Sequence, residues 1–551
     1  MKLSRLGSFH QSRLSFMRVL LRRLVREKWT VERVRFDIDP PGVGVAVYEA
    51  RGPERTYSLV AFAHDLAADQ RSDRVIAQAW DATFALVDGV VDPATIDRLA
   101  ANVPLQEAGR VSARELTLSR ANRSVRLFDH VVDRLAAGEQ PDSAMLDEVG
   151  YLMRTTAVYG SGKFGLADRE RIADRPELAG PFQAEMLTVF LIRAFSLDLV
   201  EYLAQRRSPS TAVAMEPALR RTLGVGNATG LGMAPFVINH PSLFSNWIVA
   251  RETALARVRA LPEAEPHAQA RFLELLERAR LNAAGWRSVH EIQVEKVATL
   301  VADLDALRAV APEIVAGAEP WDRVVRWAED SLGLEGQEQL VSLVLEPYGA
   351  LVDDLATEMG ADEDTVFDID GSMTTDDLTA LVTDLYGWAL GIDWTDLDET
   401  ARAWYVSEDK LEPRMGERHE EVIEPYESPL APGRDAARLH ADLVAWDGEP
   451  SVAAFLLAHP EHRFVTRRVQ QSIAFPYAEI RENTISSDVL PIDMLRCKLS
   501  YFGATHFDPR SDRWVRIIMF RHAPFPDELD GLLEATVDDW CYPPLEAERT
   551  R

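Results

Sequence analysis

Lysine and cysteine are the scarce residues of this 551-residue chain. Six of its 60 basic residues are lysine (Lys2, Lys28, Lys163, Lys296, Lys410 and Lys498), and the other 54 are arginine. With arginine as the default cation, a lysine in an unusual setting carries more information than usual. The two cysteines, Cys497 and Cys541, supply neither a disulfide framework nor a four-ligand zinc pattern, which points to a reducing cytoplasm. No run of about 18 apolar residues occurs, so no segment is expected to span a bilayer. A basic excess is also missing. The net charge is −28, against the basic surface that phosphate neutralisation requires, which excludes a general nucleic-acid binder. No G-x-S-x-G elbow occurs, so nothing argues for a covalent acyl mechanism.

Hydrophobic residues make up 47% of the chain, enough for a sizeable core, and the length implies more than one domain or one large intertwined one. The positive charge is concentrated at one end. Residues 1–35 carry ten basic residues against Glu27 and Glu32, a net of +8. Leu14, Met17, Leu21, Leu24 and Val25 fall at helical spacing, which predicts a basic amphipathic helix over 12–27. Arginines interrupt every candidate apolar core, so it is no signal peptide. It is expected to dock on the acidic body of its own or a sister chain, and a homo-oligomer is expected. Peripheral contact with an anionic membrane through residues 12–27 is the alternative.

Three strand-like runs follow at 31–38, 43–49 and 57–63, with Gly/Pro turns between them, and predict an antiparallel meander. Helical periods are then expected at 74–87, 94–103, 112–137, 142–158 and 182–205. Further helices are expected at 244–260, 265–282, 287–311, 319–332 and 336–358. Residues 362–377 resemble a calcium loop until Val366 falls where an acid is required; a helix capped by Thr374 fits better. The expected organisation is a basic helix over 1–30, a β meander over 31–66 and a helical core over 67–404. A linker or crossing arm over 405–436 and an α+β segment over 437–551 complete it. Late strands at 477–482 and 514–521 could extend the meander. The class is α+β, predominantly helical, with a small antiparallel sheet beside a large helical core.

Two glycine-rich stretches carry the functional reading. Gly160-Ser-Gly-Lys-Phe-Gly165 matches a dinucleotide fingerprint by letter, but the segment before it reads as helix, so a Rossmann fold is rejected. Successive glycine amides can still form an anion-binding concavity, and Lys163 stands inside this one. The second stretch, Thr222–Trp247, holds Gly224, Gly226, Gly230 and Gly232, followed by Asn239, His240 and Asn246 among apolar residues. Buried amides and an imidazole need partners. Arg193 lies in an apolar helical run and must be paired, either by Glu185 or Asp198 or by the anion of a ligand. Downstream, Tyr477 and Arg481 sit in a cluster of hydrogen-bonding residues that fits a pocket wall or an edge strand. His459-Pro-Glu-His462 is a close histidine pair without a third ligand nearby in sequence, so no metal site is expected, and no cofactor is indicated.

These residues predict a cytoplasmic enzyme acting on a small anionic metabolite, bearing carboxylate or phosphate, by metal-independent acid–base chemistry. Lys163 or Tyr159 would move the proton, with His240 as the second base. Ser161, Arg193, Asn227, Asn239, Asn246, Tyr477 and Arg481 would hold the ligand. The alternative is a non-catalytic ligand-binding or assembly protein whose glycine stretches serve helix packing.

Overall fold

The structure is a computed structural model. It describes residues 12–67, 79–105, 112, 114–160, 175–180, 182–228, 241–287, 291–357, 359, 368–396, 416–419, 426–429, 432–475, 503, 506–511, 514–534 and 536–543. After helix α1 (Phe16–Arg26) the chain forms strands β1 (Thr30–Ile38), β2 (Gly44–Arg51), β3 (Thr56–Ala63) and β4 (Ala82–Asp88). Helix α2 (Pro93–Asn102), strand β5 (Glu115–Arg123), helices α3 (Phe128–Ala136) and α4 (Ser143–Val149) and strand β6 (Tyr151–Gly160) come next. The long helix α5 (Gln183–Arg207) then leads to β7 (Gly224–Ala228).

A helical array follows: α6 (Pro241–Arg259), α7 (Pro266–Gly285), α8 (Glu291–Val315), α9 (Pro320–Ser331) and α10 (Leu334–Leu345). Beyond it lie α11 (Thr375–Leu390), a hairpin of β8 (Gly416–His419) and β9 (Tyr426–Pro429), and helices α12 (Pro432–Ala445), α13 (Val452–Ala458) and α14 (Arg463–Ala474). Strands β10 (His506–Ser511) and β11 (Trp514–Met519) come last.

The main sheet has nine strands in the order β1-β2-β3-β4-β5-β6-β7-β11-β10. The first three form the expected antiparallel meander, because tight turns can join only antiparallel neighbours, and β4 adds a fourth antiparallel strand to it. Its side chains alternate between two cores, as a pleated strand requires. On β3, Tyr57, Leu59, Ala61 and Ala63 enter the main core, while Val60 and Phe62 face a smaller one with Ile96 and Leu99 of α2. Helix α5 is buried along most of its length and packs along the main-core face. The helical array shares that core through Phe272, Trp321 and Leu340.

The sheet is therefore larger than the small one expected, and the stretch 67–404 is not simply helical. Residues 112–137 form β5 and then α3, and residues 142–158 form α4 and then β6. Of the expected helix at 74–87, residues 79–87 are among the described residues, and 82–87 of them belong to β4. The physical reason is position in the sheet. Strand β5 is buried at eight of nine positions, with Glu115, Thr117, Ser119, Asn122 and Arg123 among them, so polarity along it does not report which residues lie inside. At Gly150, φ of 75° ends α4 in the left-handed conformation and turns the chain directly into β6. Of the late strands, β11 joins the sheet beside β7 rather than on the meander; residues 477–482 lie outside the described residues.

Helix α1 docks on its own chain. Leu20, Leu21 and Leu24 are fully buried, and so are Arg18, Arg22 and Arg23 to within a few per cent. Arg18 makes a two-pronged bond to Glu346, with both N–O distances at 2.6 Å, and donates through Nε to Asp538 at 3.1 Å. Arg22 donates to the other Asp538 oxygen at 2.8 Å. Arg13 grips Asp353 with two bonds of 2.7 Å. Membrane contact by residues 12–27 is thereby corrected: the apolar and basic faces of the helix are both consumed inside the protein. No described helix is long and apolar enough to cross a membrane.

Residues 368–475 have a core of their own, built on Leu378, Leu385, Leu439 and Phe455. Asp370-Gly-Ser-Met-Thr374 and Asp447-Gly-Glu-Pro-Ser451 are equivalent loops in it. Thr374 Oγ1 accepts from Asp377 N at 3.0 Å, as its place before the helix predicts, and Ser451 Oγ accepts from Ala454 N at 3.2 Å. Reciprocal backbone bonds, Val452 N to Met373 O at 2.9 Å and Thr375 N to Pro450 O at 3.3 Å, clamp the two helix starts together.

Burial alone would favour the neutral acid at Asp538, but the charges of Arg18, Arg22 and Arg13 outweigh it and hold the carboxyl well below the usual range. Its stabilising contribution is present above an ordinary carboxylate value of about 4 and is lost as pH falls toward the lower folded-state value. Asp538→Asn should leave buried guanidinium charge uncompensated and cost about 3–5 kcal/mol. Urea unfolding at pH 7 reads this. The deficit should shrink on acidification below about pH 4, where the unfolded carboxylate also becomes neutral.

Candidate functional site

The sheet is antiparallel at every neighbouring pair but one. Strands β6 and β7 run parallel, with Tyr151 opposite Gly224, Arg154 opposite Gly226 and Thr155 opposite Asn227. Parallel neighbours need a crossover, which α5 supplies. A consequence follows for the two glycine-rich stretches. Gly160 closes β6 and Ala228 closes β7, so both stretches leave the sheet from the same end of adjacent strands. Open α/β sheets bind ligands in the crevice outside the carboxyl ends of their parallel strands, and β6–β7 is the one pair in this sheet that shares that arrangement.

The strand before Gly160 corrects the helix expected there. The wider dinucleotide context is still not met, because the surrounding sheet is mainly antiparallel and the first described α-helix after Gly165 opens at Gln183. Tyr159 and Asn227 are placed by their backbones alone. Tyr159 pairs with Leu118 of β5, and Asn227 pairs with Thr155 of β6 and Ile517 of β11. Tyr159 thus stands four residues beyond the level of Asn227, about 13 Å along the strand. Thr155, fully buried at that level, has a hydroxyl with no hydrogen-bond partner among the described residues. Asn246 is half-buried near the start of α6. Ser161, Lys163, Asn239, His240, Tyr477 and Arg481 lie outside the described residues.

Arg193 is described in full, and its donors go to backbone. Nε donates to Leu223 O at 2.6 Å, and one terminal nitrogen donates to Ala523 O at 2.9 Å and Pro524 O at 3.1 Å. The other reaches Arg221 O at 3.4 Å, and the guanidinium stacks on Phe525 at 3.8 Å. Neither expected carboxylate supplies these bonds. Asp198 binds Tyr48 at 2.6 Å and Arg33 at 3.1 Å instead. Burial disfavours the Arg193 charge, and carbonyl dipoles with an aromatic face are what stabilise it. The residue ties the chain before β7 to the segment after β11, so it holds the strand pair in place.

The glycines of β7 have a packing role. A Cβ on Gly226 would lie 2.7 Å from the Tyr151 ring, and one on Gly224 would lie 2.2 Å from Met519 O. These contacts are with strands, in place of the helix packing that the alternative reading expected.

The histidine pair changes most. Asp442 of α12 brings Oδ2 to 2.7 Å from His462 Nε2, and Glu461 Oε1 lies 3.4 Å from His459 Nδ1. The Asp442 carboxylate comes from a helix twenty residues back, so no local spacing rule could have placed it beside the histidine pair. Comparison with protein-family models, curated proteins and solved structures finds no match in any of the three.

Arg193→Met should leave several buried carbonyls without donors, at about 1–3 kcal/mol each, and so lower the melting temperature sharply. A variant of unchanged stability that loses ligand binding would restore the clamp role. Gly226→Ala should destabilise by about 1–3 kcal/mol through overpacking on Tyr151, read by thermal melting.

Proposed function

We propose that the chain is a cytoplasmic enzyme acting on a small anionic metabolite, bearing carboxylate or phosphate, by acid–base chemistry drawn from its own side chains. The observation that carries this reading is the departure of both glycine-rich stretches from the same end of the parallel pair β6–β7. Glycine amides can cradle an anion, and Lys163 supplies a cation within the first stretch. Lys163 or Tyr159 is the proton carrier, with His240 as second base. Asn227, Asn239 and Asn246 orient the ligand. Arg193 is left out of the ligand set, since its donors are taken by carbonyls.

A second reading, a ligand-binding or assembly protein without catalysis, is favoured by one observation: Gly224 and Gly226 are accounted for by close strand packing. A thermal-shift screen of carboxylate and phosphate metabolites tests both. A ligand at 100-fold its Kd should add about 2.7 kcal/mol. Once a substrate is found, Lys163→Arg should lower kcat by about 100-fold or more with binding intact, because arginine keeps its proton. Unchanged turnover in Lys163→Arg and Lys163→Ala would remove the first glycine stretch from the chemistry.

A further inference from the structure

The second core, remote in sequence from the β6–β7 pair, carries a different cluster. His459 follows α13 as its C-terminal cap, Glu461 and His462 lie in the short turn after it, and Asp442 sits near the end of α12. One ligating atom from each of the four lies within 4.8 Å of all the others. A tetrahedral ion with bonds of about 2.0–2.1 Å sets its donors roughly 3.3 Å apart. The His459–Glu461 separation of 3.4 Å already has this spacing, and the His462–Asp442 contact of 2.7 Å is a hydrogen bond whose proton a metal would replace. Closing the cluster on an ion needs shifts of about an ångström, which fall to the solvent-exposed carboxylates of Asp442 and Glu461.

The support around the cluster is rigid where it matters. His462 is buried and forms the floor, whereas Glu461 is 61% exposed and gives access from solvent. Both imidazoles stack on one ring, Phe455, at 4.9 Å for His459 and 5.8 Å for His462. Trp446 packs edge-on against His459 at 5.9 Å. The helix carrying Phe455 is fixed by the Ser451 cap and the reciprocal backbone bonds already described. The rings are thus oriented by packing before any ion arrives, which reduces the ordering cost of ligation.

We propose that Asp442, His459, Glu461 and His462 form a binding site for a divalent transition metal of the zinc class. Two imidazoles select such an ion over calcium or magnesium, which require shells of oxygen. Bound there, the ion joins the end of α12 to the turn that opens α14 and so closes the second core on itself. The site is independent of the chemistry proposed at the glycine-rich stretches.

The test uses the full chain, stripped with chelator and titrated calorimetrically with Zn²⁺, then with Co²⁺ in the spectrophotometer. The expected result is one ion per chain at this site, four-coordinate Co²⁺ bands in the visible, and a higher melting temperature with Zn²⁺. His459→Gln and Asp442→Asn should each weaken binding at least about 100-fold, the upper end of what losing an outer-shell partner costs. Both should melt like wild type in the metal-free state. Three results would overturn the assignment: no zinc binding by wild type, equal binding by wild type and both well-folded variants, or equal affinity for Mg²⁺ and Zn²⁺.

Discussion

Three buried arginines on and beside one helix hold the molecule in its arrangement. Arg13, Arg18 and Arg22 meet Glu346, Asp353 and Asp538, carboxylates from the turns that follow α10 and from the segment after β11. Burying such charges is unfavourable by several kcal/mol per ion, and only close, two-pronged partners offset it. Apolar side chains of similar volume would hold α1 at least as firmly, but they would not choose among faces. The charges make every misplaced docking of α1 costly, which is a physical reason for a basic helix at the centre of an acidic protein.

The same logic works on a smaller scale at Arg193. There no carboxylate among the described residues bonds it, and converging carbonyls with the Phe525 face take its place. The result is a rigid junction behind the parallel pair. In one case an ion network sets where a helix lies, and in the other a cation sets where two strands meet. The β6–β7 crossover depends on both, since α5 carries Arg193 and packs against α1.

How much of this could be read from residues alone varied with exposure. The basic amphipathic pattern of 12–27 gave α1, and Thr374 gave the start of α11, because caps and one-sided helices are local features. The meander was legible because its turns hold Gly42 and Gly52 and its strands alternate. Strands β5 and β6 were not, since burial there does not follow polarity: β5 buries Glu115, Thr117 and Ser119 beside Leu116 and Leu118, and β6 buries Arg154 and Thr155. The candidate site fared similarly. The glycine stretches stood out by composition, but their adjacency depends on a parallel pairing that no residue announces. Asp442 belongs with His462 only because α12 folds back on the turn, and Arg193, though rightly marked as needing partners, found them in carbonyls that have no sequence signature.

Sequence separation gives the cluster at α1 another meaning. Arg18 and Arg22 reach Asp538 across 520 and 516 residues of chain. Until segments so distant have met, the helix is a strip of unmatched positive charge with an apolar face, unable to bury either. The pairing of β11 with β7 also closes a long loop. Contacts of such long sequence separation are slow to close, so the locking of α1 belongs to the last stages of folding, after the local meander.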